Sequence, residues 1–442
     1  MIYRPLNPFL FVLKLETFYA WEIIEMEKKK KINLKKLIII SAVILLLIVI
    51  VSAVVVFYYY SQSKKALATI ANQNTEKTTY GIYVLKNSDY ETAESLAEKK
   101  VAVAKDNLYS DVIKAIDEYS YEIVDYDDYF SLIDSLYNEE VQGIVLNTAY
   151  ISLLEENELE EAFEEKTRLV TTIDIEKVVE APEEIETVSP FIVYISGKDT
   201  WGHISVTSRS DVNIIAVVNP ETKHILLVST PRDYYVPLGI ADGAMDKLTH
   251  AGVYGTEVSE DTLESLYDIE IDRYFKLNFS GFEGLINAMG GITVWSDYDF
   301  DVENIGHFSK GENQLNGLQA LAFVRERHSF ATGDVQRGDN QMNVIQSVVQ
   351  KMCSKSTLLN YSDILKECDG TFATDLSTDE IAELVSFQIS NPGDWNIEKM
   401  SVSGSGAHEY VYSLKNKAYV MIPNEDDIEN AKQKIQEVLN EN

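Results

Sequence analysis

The 442-residue sequence predicts an α/β protein in which one membrane-spanning helix is followed by two α/β modules. Three observations predict this arrangement. A nearly continuous apolar run covers residues 37–57. After it, short apolar strand patterns alternate with helical patterns of three- to four-residue spacing. The same alternation resumes at residue 191, after an acidic stretch that contains prolines.

The charge of the chain argues against several classes of protein. Its 38 Lys and Arg stand against 71 Asp and Glu, which gives a formal net charge of −33. Because residues 1–65 carry 10 basic and 4 acidic side chains, the rest of the chain is even more acidic. Such a surface repels nucleic acid, so we expect no nucleic-acid partner. The composition also argues against a disordered, collagen-like or multi-pass membrane protein.

The apolar run predicts a single transmembrane helix, assigned to residues 37–60. Its 21 core residues reach about 30 Å, the thickness of a bilayer's hydrocarbon region. Six lysines lie between residues 28 and 36, so residues 1–36 are expected in the cytoplasm and the rest of the chain outside the cell. A cleaved signal peptide is the alternative, but its apolar region is usually shorter. Met26 is an alternative start of the chain.

The pattern of strands and helices in residues 78–174 predicts a small accessory α/β domain. Gly81–Leu85 and Lys100–Ala104 have strand patterns, and Asp106 begins a helical pattern. A helix-like YFSLIDSLYN, the strand VQGIVLN and an acidic helix follow. This layout resembles half of a bilobed ligand-binding domain. Fold analogy alone does not give a function, so a protein partner and a small ligand both remain open.

The stretch from residue 155 to residue 186 is strongly acidic. It contains 13 acidic and 3 basic side chains and ends near Pro182 and Pro190. This composition predicts a solvated helix that runs into a linker, assigned to residues 175–190.

The second module is predicted to span residues 191–442. A strand begins at Phe191, and residues 210–218 and 224–229 predict a hairpin of buried apolar strands. Helical patterns follow at residues 257–268, 279–289, 315–321, 335–352, 378–388 and 425–440. We therefore expect helices on both faces of a sheet.

Arginine is concentrated in one part of this module. Six of the 8 arginines lie between residues 209 and 337, whereas lysine is the common base elsewhere. A guanidinium offers a planar fork of donors that grips phosphate, so several of them predict a site for a multiply charged phosphate. Arg325 and Arg327 lie two apart in the strand-like LAFVRER, and Arg337 and Gln341 lie four apart on a helix, so each pair is expected to share a face. Salt bridges to the abundant acids are the alternative, most of all for Arg273.

Two aspartates accompany these arginines. Asp199 follows the strand that begins at Phe191, and Asp211 begins the next strand, two residues after Arg209. Mg²⁺ typically takes one or two carboxylates together with phosphate oxygens and water. Because the sequence contains no His and Cys cluster, a zinc site is not expected. An ion pair for Asp211 and a turn for Asp199 are the alternatives.

The sequence allows more than one interpretation of three other features. Cys353 and Cys368 lie in the exported part and form either a disulfide or two thiols. His250 and His328 are interpreted as hydrogen-bonded structural residues rather than catalytic ones. A helical stripe is either a core face or the lining of a slot for a lipid. Its residues are Phe279, Phe282, Ile286 and Met289.

Four blocks of the second module resemble, in order and spacing, the motifs of the LytR-CpsA-Psr family. They are SRSDVNIIAVVNPETKHILLVSTPRD (208–233), DKLTHAGVYG (246–255), KLNFSGFEGLINAMGGITV (276–294) and LNGLQALAFVRERHSFATGDVQRGDNQ (315–341). An N-terminal anchor followed by an extra module resembles the capsule-associated members. The resemblance implies an α/β/α catalytic domain with a central mixed sheet.

The resemblance also implies an extracellular phosphotransferase. Such an enzyme moves a capsular polysaccharide or teichoic acid from a polyprenyl-pyrophosphate carrier to peptidoglycan, where a phosphodiester forms at a muramic acid 6-hydroxyl. Mg²⁺ is the implied cofactor, and other capsule-assembly proteins are implied partners. Two alternatives remain: a non-catalytic membrane-anchored regulator or sensor that binds polyprenyl phosphates, and a hydrolase that releases the polymer to water.

Matching positions carry the roles of the family onto this chain. The implied pyrophosphate-binding residues are Arg209, Arg232, Lys247, Arg325, Arg327, Arg337 and Gln341. The implied Mg²⁺ ligands are Asp199 and Asp211. The implied catalytic residues are Arg232, Arg325, Arg327 and Asp334, the last as base or orienter of the attacking hydroxyl. After Arg337 the chain departs from many relatives, because Gly338-Asp339-Asn340 replaces further basic residues.

Overall fold

The computed structural model describes residues 75–157, 159–178, 183–198, 200, 203–330, 334–354, 357, 364 and 370–442. Within these ranges no helix is both long and apolar enough to cross a membrane. The predicted cytoplasmic segment 1–36 and transmembrane helix 37–60 lie outside the described residues. Cys368 also lies outside them, so the pairing of Cys353 stays a prediction.

The first part of the structure is a five-stranded mixed sheet with helices, which we call the N-terminal lobe (residues 75–178). Its strands are β1 (Thr75–Leu85), β2 (Lys100–Ala104), β3 (Glu122–Tyr126), β4 (Gly143–Asn147) and β5 (Thr167–Val178). Its helices are α1 (Tyr109–Ile116), α2 (Tyr129–Tyr137), α3 (Ile151–Glu156) and α4 (Glu160–Lys166). The sheet order is β3-β2-β4-β1-β5. The strands predicted over Gly81–Leu85 and Lys100–Ala104 are therefore confirmed.

The structure contradicts the helix predicted over the acidic stretch at residues 155–186. Among the described residues of this stretch, only those of α3 and α4 are helical, and β5 pairs with β1 along the whole of β1. Ile173 and Ile175 pack against the core of the lobe, whereas Asp174 and Glu176 are exposed. This period of two favours a strand whatever the net charge. The acidic side chains of this edge strand also oppose pairing with a further strand.

The rest of the described chain forms the C-terminal lobe (residues 183–442). Its strands are β6 (Phe191–Lys198), β7 (Ser210–Asn219), β8 (His224–Thr230), β9 (Tyr235–Pro237), β10 (Met245–Lys247), β11 (Arg273–Asn278), β12 (Ile292–Ser296), β13 (Phe300–Val302), β14 (Gly306–Phe308), β15 (Gly311–Leu315), β16 (Phe372–Thr374), β17 (Asn396–Ser401), β18 (Gly404–Val411) and β19 (Asn416–Pro423). Its helices are α5 (Leu248–Ala251), α6 (Thr256–Tyr267), α7 (Phe279–Ala288), α8 (Gly317–Arg325), α9 (Asp334–Met352), α10 (Thr378–Ser390) and α11 (Glu425–Leu439).

A six-stranded mixed sheet is the centre of this lobe, in the order β16-β11-β6-β7-β8-β17. β6 is parallel to β11 and antiparallel to β7, and β8 is antiparallel to β7 and parallel to β17. Helices α6 and α11 pack on one face, and α9 and α10 pack on the other. The predicted mixed sheet with helices on both faces is confirmed, as are the β7–β8 hairpin and the six predicted helices.

The strand-like interpretation of LAFVRER is wrong, because α8 continues through these residues to Arg325. Asn316 and Gln319 form a capping box that begins the helix. Gly317 lies against the backbone of α7, where a Cβ would come within 2.2 Å of the Glu283 carbonyl oxygen. Ala320, Leu321 and Phe323 then enter the core at helical spacing. Strand alternation therefore does not place Arg325 and Arg327 on a common face.

The two lobes share buried contacts. Val253, Val411 and Val420 of the C-terminal lobe belong to the same apolar cluster as the core of the N-terminal lobe. In addition, Glu76 of β1 accepts hydrogen bonds from Lys276 of β11, at 2.7 Å, and from Thr256 of α6. Burial alone would raise the pKa of Glu76, but Lys276 and Lys198 lower it to about 2. This carboxylate therefore remains ionised between the lobes.

The Glu76–Lys276 pair predicts an acid-sensitive contribution to stability. A folded-state pKa of about 2 lies below the ordinary value of 4.5. The contribution is therefore complete above pH 4.5 and is lost as the pH falls towards 2. We expect Glu76→Gln to lower the free energy of unfolding by about 3 kcal/mol at pH 7, and this loss to shrink towards pH 2.

Urea denaturation followed by circular dichroism at several pH values measures this effect. Glu257→Gln is the matched control, because Glu257 forms an exposed 2.7 Å pair with Lys177 that also joins the lobes. Its loss should cost less than about 1 kcal/mol. A penalty for Glu76→Gln that is the same at every pH would contradict the prediction.

Candidate functional site

Four strands of the C-terminal lobe end or begin at one edge of the central sheet. Lys198, at the end of β6, pairs with Ser210 at the start of β7 and with Asn278 at the end of β11. Thr230, at the end of β8, pairs with Asn213 of β7. Side chains just beyond these strand ends therefore come together at this edge, which is a common place for sites in α/β proteins.

A cavity of about 1030 Å³ extends from this edge across the sheet face that carries α9. Its wall follows β7 from Asp211 to Val218, about 23 Å at the rise of a strand. Most of the lining is apolar and comes from β6, β7, β8 and β11 on one side and from α7, α8 and α9 on the other. The result is an elongated apolar slot with a polar end.

The polar end carries the clustered arginines. The predicted site residues that line the cavity are Arg209, Arg232, Arg325, Arg327, Arg337, Gln341 and Asp211. Arg209 directly precedes β7, Asp211 is the second residue of β7, and Arg232 follows β8. Arg325 is the last residue of α8, Arg327 lies two residues further on, and Arg337 and Gln341 come from α9. Residues far apart in sequence thus line the same cavity.

Specific contacts orient several of these guanidinium groups. Arg232 donates to a carboxylate oxygen of Asp211 at 2.8 Å, and the hydroxyl of Thr249 donates to the other oxygen at 2.9 Å. The guanidinium of Arg325 lies 4.4 Å from the centre of the Phe279 ring, a cation–π contact. These contacts fix side chains that would otherwise have many rotamers.

Of the other predicted site residues, one does not line the cavity and two are not fully described by the structure. Lys247 does not line the cavity: its buried ammonium contacts Glu156 and lies 3.6 Å from Asp233. Asp199 lies outside the described residues. Helix α9 begins at Asp334, whose side chain also lies outside the description.

Arg273 illustrates the alternative interpretation of the arginines. Its guanidinium forms a buried ion pair with Glu380 and donates to the backbone carbonyl oxygens of Asp272 and Glu183. This arginine has a structural role and is not part of the cavity lining.

Sequence analysis missed several charged residues of the cavity lining, among them Glu155, Glu156 and Lys198. Glu155 and Glu156 come from the end of α3 in the N-terminal lobe, and Lys198 comes from the end of β6. The two glutamates had only been counted within the acidic stretch, and no local pattern distinguished them. Burial and the charge of Lys276 lower the pKa of Lys198 to about 7, against the opposing effect of Glu76.

A buried polar network lies next to Glu156. His250 is fully buried, and its ring nitrogens contact Asp246 at 2.7 Å and Glu156 at 3.0 Å. Burial alone would lower the pKa of His250, but the two carboxylates raise it. Burial alone would raise the pKa of Glu156, but His250 and Lys247 hold it well below its usual range. His250 thus lies in a hydrogen-bonded network, whereas His328 lines the cavity and is exposed.

The helical stripe on α7 is both core and cavity lining. Phe279, Phe282 and Ile286 line the cavity, whereas Met289 is buried in the cluster around α7 and α8. The two alternatives from the sequence therefore do not exclude each other.

The donors at the polar end are compatible with Mg²⁺. In the described ranges, no group of three or more His, Cys, Asp and Glu side chains could hold a metal by itself. Asp211 supplies one carboxylate, and each of its oxygens accepts one hydrogen bond and keeps a second lone pair. One carboxylate together with phosphate oxygens and water is an ordinary set of ligands for Mg²⁺.

The cavity combines charged donors with apolar walls, the two features that an amphiphilic ligand requires. The guanidinium groups supply charge-assisted donors for a phosphate or diphosphate group. The apolar walls of the slot favour an adjoining hydrocarbon chain.

The chain matches known proteins over the region that contains this site. A model of the LytR_cpsA_psr family matches residues 145–437. Over 212 residues the chain is 35% identical to the polyisoprenyl-teichoic acid–peptidoglycan teichoic acid transferase TagU of Enterococcus faecalis, a match that covers 48% of this chain and 69% of that protein. It is 34% identical over 216 residues to TagU of Bacillus subtilis, covering 49% of this chain and 69% of that protein.

The chain is also similar in fold to solved structures. Protein gbs0355 of Streptococcus agalactiae superposes with a TM-score of 0.50 and 25% sequence identity. The match covers 58% of this chain and 90% of that chain.

The arginine cluster predicts binding of inorganic pyrophosphate, which isothermal titration calorimetry measures directly. Arg232→Ala or Arg327→Ala should each weaken binding at least tenfold, about 1.4 kcal/mol, because each removes a charge-assisted donor. Lys434→Ala removes the same charge from an exposed position paired with Glu437 and should leave binding unchanged. Equal affinities for all four proteins would contradict the assignment of the site.

Proposed function

We propose, from the premise that the chain belongs to the LytR_cpsA_psr family, that it is an extracellular phosphotransferase acting on cell-wall glycopolymers. It transfers a polymer from a polyprenyl-pyrophosphate carrier to peptidoglycan and joins the two by a phosphodiester bond. The observation that carries the proposal is the joining of five cavity-lining arginines to a long apolar slot. The named activity of the TagU relatives supports the same reaction class.

The cavity matches the two chemically different parts of such a donor. Its polar end neutralises the several negative charges of the pyrophosphate. This end is basic although the protein as a whole is acidic. Its apolar part takes the proximal polyprenyl chain, which gains from leaving water at about 25 cal/mol for each Å² buried. Because both ends of the cavity are used, the carrier is bound in one direction only.

The reaction is a displacement at phosphorus. The sugar hydroxyl of peptidoglycan attacks the phosphorus that carries the polymer, and the bond from this phosphorus to the bridging oxygen of the pyrophosphate breaks. Polyprenyl phosphate leaves with the bonding electrons, and the hydroxyl proton passes to a base. Arg232, Arg325 and Arg327 stabilise the charge that develops on the phosphates, and Arg209, Arg337 and Gln341 hold the pyrophosphate.

Two parts of this mechanism rest on the family resemblance and the donor chemistry. Mg²⁺, held by Asp211 with Asp199, would neutralise phosphate charge during the transfer. We assign the base to Asp334, and its place at the first turn of α9, three residues before Arg337, supports this assignment. Lys247 does not line the cavity, so its role in the site is indirect and is exerted through its contacts with Glu156 and Asp233.

The location and the polymer complete the proposal. The predicted helix at residues 37–60 anchors the protein in the cell membrane, with the N-terminus in the cytoplasm and both lobes outside the cell. The donor polymer is a teichoic acid or a capsular polysaccharide, and the extra N-terminal module favours a place among other capsule-assembly proteins.

Covalent transfer is the direct test of the function. The full chain in detergent micelles is incubated with polyprenyl-pyrophosphate-linked glycopolymer, Mg²⁺ and peptidoglycan, and polymer bound to the acceptor is quantified. We expect Arg327→Ala to lower the rate at least 100-fold while the circular dichroism spectrum stays unchanged, because the arginine acts on developing charge. Lys434→Ala is the charge control and should retain the rate of the unaltered chain.

Two results would contradict the transferase assignment, and a third would contradict the assigned site. Release of polymer that does not depend on the acceptor indicates a hydrolase. Binding of the donor without turnover indicates a non-catalytic regulator or sensor. A transfer rate that Arg327→Ala leaves intact removes the assigned site from the reaction.

The apolar slot makes a separate prediction about the carrier. Ala216 of β7 lines the slot and is 4% exposed, so Ala216→Phe should fill part of the space that the polyprenyl chain needs. We expect transfer from long-chain donors to fall at least tenfold while the affinity for inorganic pyrophosphate stays within twofold. Val217→Leu is the control, because Val217 packs on the opposite sheet face. Equal loss of transfer in both variants would contradict a lipid slot.

A further inference from the structure

The polar end of the cavity is built by both lobes of the protein. Helix α3, which belongs to the N-terminal lobe, ends at Glu156, and both Glu155 and Glu156 line the cavity. Arg209 donates to the backbone carbonyl oxygen of Ser152 in the same helix, at 3.5 Å. The guanidinium of Arg209 also lies 3.9 Å from the Glu155 carboxylate and 3.8 Å from the Glu156 carboxylate.

Glu156 is held far more firmly than an ordinary surface glutamate. One carboxylate oxygen accepts from Lys247, and the other lies 3.0 Å from the ring of His250. Lys247 is 4% exposed and His250 is completely buried. Because its partners cannot move into solvent, the carboxylate of Glu156 keeps a defined place beside Arg209.

The distance between Glu156 and Arg209 is suited to orientation rather than to permanent pairing. A charge-assisted hydrogen bond measures about 2.7–2.9 Å, which is much shorter than the 3.8 Å contact observed here. The carboxylate attracts the guanidinium and limits its rotamers, but an arriving phosphate oxygen can make a closer contact.

We propose that Glu156 is a positioning residue through which the N-terminal lobe orients Arg209 for the pyrophosphate of the donor. The module that the sequence presents as an accessory domain is then a wall of the active site. This proposal rests on the proposed function in naming the ligand, but the coupling between Glu156 and Arg209 is tested by binding alone.

A double-mutant cycle on the full chain tests this coupling, with inorganic pyrophosphate as the probe in isothermal titration calorimetry. Arg209→Ala is made in the unaltered chain and in Glu156→Gln, and the fold-change in dissociation constant is compared. We expect Arg209→Ala to cost at least tenfold in the first background and at least threefold less in the second, where the charge of residue 156 no longer attracts Arg209. Costs that differ by less than threefold overturn the proposal.

The binding stoichiometry separates positioning from folding. Loss of a partner for the buried Lys247 lowers stability, and a misfolded fraction then reduces the number of sites without changing the affinity of those that remain. The affinities are therefore compared per binding site. Glu165→Gln, which removes an exposed charge from α4 of the same lobe, is the matched control and should leave the cost of Arg209→Ala unchanged.

Turnover supplies a second, independent measurement. Per binding site, Glu156→Gln should lower kcat at least tenfold, and Glu156→Asp, which keeps the charge, should recover at least threefold of this loss. A kcat within twofold of Glu165→Gln, or no recovery in Glu156→Asp, counts against the positioning role. If the unaltered chain binds pyrophosphate but transfers no polymer, the proposed function fails, and the double-mutant cycle still decides the role of Glu156.

Discussion

The candidate site depends on bringing five arginines into the lining of one cavity although their like charges repel each other. Contacts with carboxylates or with an aromatic ring orient three of these arginines. Asp211 accepts a hydrogen bond from Arg232, and the ring of Phe279 makes a cation–π contact with Arg325. The two carboxylates at the end of α3 lie within 4 Å of Arg209. Because these partners come from different elements, the cluster forms only when β7, β8, α7 and α3 are all in place. The chain has a net charge of −33, so the positive charge of this cluster contrasts with the acidic character of the chain as a whole.

The neighbouring apolar slot limits the kind of anion that the arginine cluster can bind. A basic patch on a polar surface accepts many anions, whereas a patch that continues into an apolar cavity of about 1030 Å³ selects an anion with a hydrocarbon tail. In the proposed reaction, burial of the tail supplies affinity without affecting the reacting phosphorus. The proposed role of the arginines is then to stabilise the charge that develops during transfer.

The N-terminal lobe belongs to the site in both energetic and geometric terms. The lobes share an apolar cluster, and Glu76 and Lys276 form an ion pair that is almost completely removed from water. Such pairs are costly to break because each leaves an unpaired charge in the interior. The docking that they stabilise also fixes α3 against Arg209. An interface that looks merely structural thus determines the geometry of the polar end.

The sequence predicts most of the secondary structure, because period and composition are local properties. It predicts β2 at its observed bounds, the β7–β8 hairpin and the six helices of the C-terminal lobe. It fails at β5, where the net charge concealed a period of two, and at Arg325, where β-branched and aromatic residues concealed a capped helix. Both failures come from weighing composition above spacing and capping.

The sequence by itself also identified the arginines, because their concentration in a lysine-rich background is visible without a fold. Only the tertiary structure decided which of them share a site: Arg273 pairs with Glu380, while Arg209 and Arg337, more than a hundred residues apart in the chain, line the same cavity. It alone placed Glu156 beside Arg209. The physical reason is that convergence depends on sheet register and lobe docking, which are long-range contacts that no local pattern encodes.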